Sequence, residues 1–295
     1  MSKINIQFTL FSAFYTPLIV TMAGGFLKRE GLDYDWSISP PGVAAVDAVT
    51  AGTAQVVQSA PSQAFNAIQR GETEYPLHFA QVNEMDGFFI SAREPDPAFS
   101  WDKLQDAEVV MFGGGQPNAM LRYACHRAGI DFERIRAVTP GGADAIDAAF
   151  RAGEGQYVQQ QGPYPQQLEA DAVGHIVAQV GPLIGPCAFS SLAASREWLA
   201  TDTAKAFTRA YASARRFLNE ASAKDVAAVE QSWFPEVDPR ALQQCIATYQ
   251  QLGCWTPHVE ITPQALEVTL DVFEYTGGIS ERYAYEQVCA VPPAV

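Results

Sequence analysis

Residues that could bind a small molecule occur in short loops that follow predicted strands or begin predicted helices. Aromatic faces can stack on a planar ligand, amides can donate and accept hydrogen bonds, and glycines let the backbone approach a ligand closely. The candidate ligand-binding residues are Ser12, Phe14, Tyr15, Gln58, Ser59, Ser62, Asn83, Gly115, Gln116, Asn118, Gln161 and Tyr164. With little fixed positive charge among them, they favour a small neutral or zwitterionic planar molecule over a fully ionised anion.

Several of these candidates also have a purely structural interpretation. Ser62 could cap the helix that it begins, and Phe14 and Tyr15 could pack against the start of theirs. Asn83 ends a strand, where pockets form, but the residues after it could be a simple turn. The glycine-rich segment 113–118 is not a phosphate-binding P-loop, because no Lys-Ser/Thr pair follows it.

The segment 156–168, "QYVQQQGPYPQQL", has the composition of a flexible linker. It follows a helix and the glycines that end it, so its glutamines begin on a strand, and we prefer a polar pocket wall to a linker. Side chains alternate along a strand, so Gln159 and Gln161 share one face and Gln160 takes the other. This alternation predicts that Gln161 and Tyr164 lie at a ligand cleft.

Neither the cysteines nor the histidines are spaced as metal ligands. The five cysteines contain no C-x-x-C pair, and their odd number leaves room for one disulfide but not for a complete disulfide framework. The four histidines have no helical i,i+4 partner. We therefore predict no metal site, no cofactor and no catalytic residue. Cys187 is the one thiol worth testing for reactivity, although we prefer to interpret it as a small buried side chain.

The charge of the chain excludes some classes of partner. The 33 acidic and 19 basic side chains give a net charge of −14, without a Lys/Arg cluster, so we expect no nucleic-acid partner and no anionic membrane surface. No segment reaches the roughly 18 apolar residues of a membrane span. The first residues predict a strand rather than a signal peptide. We expect a periplasmic protein if a leader was removed and a cytoplasmic one if the chain is complete.

Strands and helices alternate in the first two thirds of the chain, which predicts βαβ units and a mostly parallel sheet. A Pro-rich acidic segment at 94–100 suits a crossing between two lobes, and a second α/β unit then restarts. The last third is predicted to be helical, at Ser195–Asn219, Ala223–Trp233, Pro239–Leu252 and Pro263–Tyr275. The two units share a plan, so we expect two lobes with a ligand cleft at the carboxyl ends of their strands.

Four segments in this order resemble one family of proteins, and the resemblance extends from Ile4 to about Gly278. They are "FSAFYTPLIVTMAGGFLKREGLDYDW", "AVDAVTAGTAQVVQSAPSQAFNAIQRGE", "SWDKLQDAEVVMFGGGQPNAMLRYACHRAGID" and "AIDAAFRAGEGQYVQQQGPYPQQLEAD". The chain resembles the substrate-binding proteins of ABC transporters for nitrate, sulfonates and thiamin-pyrimidine precursors, which have a type II periplasmic-binding-protein fold. The resemblance implies lobe 1 at 1–95 plus 190–295, lobe 2 at 96–189, and a small-molecule ligand between them. It also implies an ABC permease as a partner.

Some relatives within this family are enzymes, so the resemblance leaves a second function open. The fungal thiamin-pyrimidine synthase has a lysine that holds pyridoxal phosphate, a reactive histidine and a cysteine-rich iron motif. The first two should fall near Gln58–Ser62, where this chain has neither lysine nor histidine, and the third where only Cys187 is present. We therefore prefer the solute-binding component of an uptake system. The alternative is a cytoplasmic enzyme of lyase, decarboxylase or isomerase type, or a ligand sensor, on the same fold.

Overall fold

The computed structural model describes residues 2–294, which form two five-stranded sheets flanked by helices. The first sheet has the order β2-β1-β3-β10-β4. Its strands are β1 (Ser2–Phe8), β2 (Leu32–Ile38), β3 (Val56–Ser59), β4 (Leu77–Asn83) and β10 (Ser190–Ala194). The second sheet has the order β7-β6-β8-β5-β9. Its strands are β5 (Phe88–Ala92), β6 (Glu108–Val110), β7 (Arg136–Val138), β8 (Tyr157–Gln161) and β9 (His175–Gln179).

Fourteen α-helices connect and cover these strands in the described part of the chain. Those of the first half are α1 (Thr16–Ala23), α2 (Phe26–Arg29), α3 (Val46–Thr50), α4 (Ser62–Gln69), α5 (Gly115–Arg127) and α6 (Ala143–Arg151). The middle of the chain adds α7 (Tyr164–Ala170), α8 (Gly181–Ile184), α9 (Arg196–Leu199) and α10 (Asp202–Glu220). The last are α11 (Ala223–Glu230), α12 (Pro239–Leu252), α13 (Pro263–Tyr275) and α14 (Tyr285–Val288).

Each sheet is mixed, so the expectation of mostly parallel sheets is wrong. Strand β1 pairs in parallel with β2 and β3, but β10 is antiparallel to both β3 and β4. The second sheet repeats this plan, because β6 is parallel to β7 and β8 while β5 is antiparallel to β8 and β9. The antiparallel pairs arise where the chain crosses directly from one sheet to the other, without the helical crossover that parallel neighbours need.

Local sequence explains where several elements begin and end. Ile4, Ile6 and Phe8 of β1 are buried, whereas the residues between them are exposed or half-buried, so one face of this strand meets the core. The Asp238 side chain caps α12 ahead of a proline, and Gly253 ends that helix with a φ of 70°. The helical segment after β1 is interrupted between α1 and α2, where Gly25 has a φ of 72°.

The chain crosses between the sheets twice, at residues 84–87 and again between β9 and β10. We call the first sheet with its helices lobe 1, and the second sheet with α5–α7 lobe 2. The predicted boundaries, 1–95 plus 190–295 and 96–189, stay a prediction, although β5 already pairs within the second sheet. The carboxyl-terminal helices contact both lobes, because α12 packs on α7 and α13 packs on α5. Within residues 2–294, no helix is both long enough and apolar enough to cross a bilayer.

Candidate functional site

The loops that follow β1 and β3 in lobe 1 face those that follow β6 and β8 in lobe 2, and two hydrogen bonds join them. Ser12, after β1, donates from Oγ to the carbonyl oxygen of Gly162 at 2.5 Å. Ser62, at the start of α4, donates from Oγ to Oε1 of Gln116 on α5 at 3.0 Å. Both serines are buried. The lobes therefore meet closely along this line, which we call the cleft.

Tyr15 lies between the lobes, because its hydroxyl is beside the amides of Gln161 in lobe 2 and Gln58 in lobe 1. Its side chain is 6% exposed. Burial raises the pKa of Tyr15 to about 12, and the neighbouring amides oppose this rise only in part. The Tyr15 hydroxyl is therefore neutral at physiological pH and can donate a hydrogen bond to a ligand.

Among the predicted site residues, two buried polar atoms have no hydrogen-bond partner within residues 2–294. They are Oγ of Ser59, at the end of β3, and Nε2 of Gln161, at the end of β8. Each residue is 2% exposed. Leaving such a group unpaired costs about 1–3 kcal/mol, so a polar ligand that reaches either atom gains that much. The two atoms come from opposite lobes.

The amino-terminal ends of α4 and α5 approach each other across the cleft, because the Ser62–Gln116 hydrogen bond joins the first turn of α4 to the first turn of α5. Each end has a partial positive charge and unpaired backbone N–H groups, so two such ends facing each other are unfavourable unless an electron-rich group lies near them. A carboxylate or another acidic group of a ligand would supply that partner.

Positive side chains contribute little to this region. Among residues 2–294, the only fully buried lysine or arginine is Arg215. Its guanidinium donates to the carbonyl oxygens of Gln81, Val82 and Thr256, so it fastens the carboxyl-terminal part to β4 and is not available to a ligand. The lining of the cleft is therefore mainly neutral.

Five of the predicted site residues have structural roles, either as well as a position in the cleft or instead of one. The Phe14 ring packs against Tyr15, Phe189 and Tyr249. The backbone carbonyl oxygen of Phe14 accepts a hydrogen bond from the indole N–H of Trp255. Both amide atoms of Asn83 are paired, with Ser190 and Trp255. Asn118 donates to the carbonyl oxygen of Phe112, and the Tyr164 hydroxyl donates to Asp144, so both bonds lie within lobe 2. Gly115 begins α5 with a φ of 67°, as the close turn there requires.

The glutamine run is a buried strand rather than a linker, so the linker interpretation is wrong. Gln159, Gln160 and Gln161 are each at most 2% exposed. The Gln159 amide donates to Pro117 on α5, whereas the Gln160 amide donates to Asp147 on α6, as the predicted alternation requires. Gln161 is the member of the run that reaches the cleft.

The sequence did not reveal the residues at the base of the cleft. The Tyr249 hydroxyl, on α12, donates to the carbonyl oxygen of Gly87 at 2.9 Å and accepts from the Gly162 amide at 2.6 Å. Asp86, next to Gly87, is fully buried, and burial raises its pKa to about 7. Tyr249 lies far along the chain in an amphipathic helix, where no local pattern distinguishes it from a core residue. In the sequence, Asp86 is only an acidic residue in a predicted turn, and nothing there indicates its burial.

The described residues contain no cluster of metal ligands and no exposed cysteine. Within 2–294, no group of three or more His, Cys, Asp or Glu side chains could hold a metal ion. All five cysteines are free and buried. Burial raises the pKa of the Cys187 thiol, so it lacks the thiolate character of a nucleophile. Cys187 lies in the core as a small buried side chain.

Comparisons with known proteins agree with this architecture. A sequence model of the NMT1-like family matches residues 8–230. The protein YtlA of Bacillus subtilis (strain 168), whose name describes it as a binding protein, is 26% identical over 292 residues, covering 98% of this chain and 87% of YtlA.

Solved structures show the same fold over the whole chain. A ligand-binding component of an ABC-type import system from Staphylococcus aureus has a TM-score of 0.78 at 15% identity, covering 99% of this chain and 97% of that one. The alkanesulfonate-binding protein SsuA from Xanthomonas axonopodis pv. citri has a TM-score of 0.73 at 16% identity, with 100% and 98% covered. The nitrate-binding protein NrtA from Synechocystis PCC 6803 has a TM-score of 0.65 at 14% identity, with 99% and 92% covered.

The predicted two-lobed periplasmic-binding-protein fold is confirmed by these structures. The family match extends from β1 through α11 and includes both lobes. The chain belongs to the NMT1-like family.

Proposed function

We propose that the protein is the solute-binding component of an ABC-type uptake system and holds a small, planar, polar organic molecule between its lobes. The observation that carries the proposal is the pair of unpaired buried atoms, Ser59 Oγ and Gln161 Nε2, on opposite sides of a neutral cleft. A ligand that pairs with both favours the closed arrangement of the lobes over the open one.

The cleft also supports a chemical class for this ligand. Tyr15 offers an aromatic ring and a neutral hydroxyl, and the amides of Gln58 and Gln161 offer donors and acceptors around it. The facing ends of α4 and α5 favour one acidic group on the ligand. A heterocyclic or aromatic molecule that bears a carboxylate satisfies both features.

The partner and the location follow from the relatives rather than from the cleft. One structural relative is a component of an ABC-type import system, and SsuA from Escherichia coli and NrtA are described as periplasmic. We extend both properties to this chain as part of the proposal, with an ABC permease as the membrane partner.

The test begins with purification of the protein under non-denaturing conditions and mass spectrometry of any molecule released from it. Calorimetry then compares that molecule with aromatic carboxylates, the matching carboxamides, alkanesulfonates and nitrate. We expect the aromatic carboxylates to bind more tightly than their carboxamides and the inorganic anion. Tight binding of nitrate alone would overturn the ligand class, and turnover of the bound molecule would replace the transport function by an enzymatic one.

A further inference from the structure

A cavity of about 280 Å³, separate from the cleft, lies between α7 of lobe 2 and the beginning of α12. Gln166 and Glu169 line it from α7, and Asp238, Arg240 and Gln244 line it from α12. None of these residues contributes to the cleft contacts described above. The cavity is polar, and both of the helices that form it also reach the base of the cleft.

Gln166 is the residue that points to a ligand. It is 1% exposed, yet neither its Oε1 nor its Nε2 has a hydrogen-bond partner within residues 2–294. The next amide along the helix behaves differently, because Gln167 accepts from the backbone N–H of Asp238 at 2.8 Å and joins the two helices. Gln166 thus offers the cavity both a donor and an acceptor, and each buried atom costs about 1–3 kcal/mol if it stays unpaired.

The charges around Gln166 define the kind of ligand. Arg240 is exposed, and its backbone N–H donates to Asp238. Its guanidinium forms no ion pair or hydrogen bond within the described residues and is free to meet a ligand. Glu169 accepts from the Ile176 backbone and from Gln244, and Asp238 uses one oxygen to cap α12. Both carboxylates line the cavity. A ligand with only a negative group meets two like charges, and one with only a positive group leaves Arg240 unmatched.

We propose that this cavity is a second binding site, for a small zwitterion of amino-acid size. The carboxylate of the ligand pairs with Arg240, its ammonium group faces Asp238 and Glu169, and the Gln166 amide bonds to either group. The volume of about 280 Å³ accommodates a small amino acid. The site stands independently of the identity of the cleft ligand.

The position of this site links it to the contact between the lobes. Helix α7 begins two residues after Gly162, whose backbone contacts Ser12 and the Tyr249 hydroxyl of α12. At the other end of α7, Gln167 and Glu169 bond to residues 238 and 244. A zwitterion bound between α7 and α12 adds contacts along the same helix pair. It therefore favours the closed arrangement, in which the two lobes are in contact.

The test uses the full chain and nuclear magnetic resonance titrations with glycine and serine, compared with acetate and methylammonium as singly charged probes. We expect glycine and serine to shift the backbone resonances of α7 and of the first turn of α12 at millimolar concentration, and the singly charged probes to shift them far less. Arg240→Gln should weaken binding about tenfold, the loss of roughly one charge-assisted hydrogen bond. Gln166→Leu should weaken it to a similar degree.

Arg216→Gln is the matched control, because Arg216 is also exposed on a carboxyl-terminal helix but does not line the cavity. Since Gln166 is buried, the exposed Arg240→Gln variant decides the matter if Gln166→Leu fails to fold. Equal responses to all four probes, absence of shifts on α7 and α12, or unchanged affinity in Arg240→Gln would each overturn the proposal.

Discussion

Gln161 is the cleft residue at which ligand binding can best be separated from folding. Its Nε2 has no partner within residues 2–294, so Gln161→Ala removes no protein hydrogen bond made by that atom. We expect this variant to weaken the binding of the co-purified ligand about tenfold, which corresponds to the loss of one hydrogen bond in a buried site. Calorimetry with that ligand measures the change.

Tyr164→Phe is the matched comparison for Gln161→Ala. The Tyr164 hydroxyl donates to Asp144, on α6 of the same lobe, so its removal should leave the ligand affinity within about twofold of the wild type. If Tyr164→Phe weakens binding as strongly as Gln161→Ala does, the placement of the pocket is wrong and Tyr164 belongs to it.

Glu230 makes the stability of the protein depend on pH. It is fully buried against Thr16, and burial raises its pKa from 4.5 to about 8. The native state therefore holds a proton that the unfolded chain releases above pH 4.5, and this contribution to stability is lost as the pH rises towards 8. Between pH 6.5 and pH 8 the free energy of unfolding should fall by up to about 1.4 kcal/mol per pH unit from this group.

The measurement is urea unfolding of the wild type and of Glu230→Gln across that range. Glutamine keeps an acceptor for Thr16 but cannot ionise, so the variant should show a flatter dependence on pH. His78, whose pKa burial lowers to about 3, contributes the same pH dependence to both proteins and so does not affect the difference between them. Asp86, with a pKa of about 7, adds a smaller slope to both proteins. Equal slopes for the two proteins would mean that Glu230 is ionised in the native state.

At the residue scale, strand ends and helix starts are the features from which side chains near the contact between the lobes could be predicted. Ser12, Ser62, Gln116 and Gln161 were found because they follow or begin regular elements, and the structure brings them to the line where the lobes meet. Phe14 could not be assigned to core or pocket in advance, because an aromatic side chain at a helix start serves either purpose equally well.

At the scale of elements, the junction between β8 and α7 is fixed by its packing on α12. A Cβ atom at Gly162 would lie 2.2 Å from Sγ of Cys245 and 3.0 Å from the Tyr249 hydroxyl. We expect Gly162→Ala to lower the free energy of unfolding by about 1–3 kcal/mol, because this contact can be relieved only by moving α7 away from α12. Urea unfolding measures the loss.

The double variant Gly162→Ala, Cys245→Ala tests that cause directly. Removing the sulfur should make the Gly162→Ala substitution less harmful than it is in the presence of Cys245, although the contact with Tyr249 remains. Strictly additive effects of the two substitutions would contradict this account and place the cost of Gly162→Ala elsewhere.

Elements with strong local signals were predictable, and those that depend on distant partners were not. Helices α12 and α13 have the predicted bounds, and each begins at the proline of an Asp-Pro or Thr-Pro pair. Strand β10, "SSLAA", was missed, because its small residues have no strand preference and it is held between β3 and β4 by antiparallel pairing. Helix α7 was missed because its first residues, Tyr164 and Pro165, resemble a turn.

At the scale of the whole molecule, Gln116 is the clearest link between the lobes. From α5 in lobe 2 its Oε1 accepts from Ser62 of lobe 1 at 3.0 Å, and its Nε2 donates to the carbonyl oxygen of Phe189, just before β10 of lobe 1. Gln116→Ala removes both bonds and leaves two buried partners unpaired in the closed state. Water can satisfy those partners in the open state, so the substitution shifts the equilibrium towards opening.

The size of this shift can be estimated from the two bonds. At about 1 kcal/mol each they contribute about 2 kcal/mol, which corresponds to roughly a thirtyfold change in the ratio of closed to open molecules. We expect Gln116→Ala to show a larger radius of gyration in small-angle X-ray scattering without ligand, and saturating ligand to restore the wild-type value. The apparent affinity falls with the closed fraction.

Asn118→Ala is the control for this experiment, because Asn118 lies on the same helix but its amide donates to Phe112 within lobe 2. It should leave the radius of gyration unchanged.

The free energy of unfolding should fall little in Gln116→Ala, since the bonds it removes connect the lobes instead of building either sheet. A radius of gyration equal to that of the wild type in Gln116→Ala, with the affinity also unchanged, would show that the lobes are held together by their apolar contacts and not by the polar cleft. An increase of the same size in both variants would point to a disturbed α5 rather than to an opened molecule.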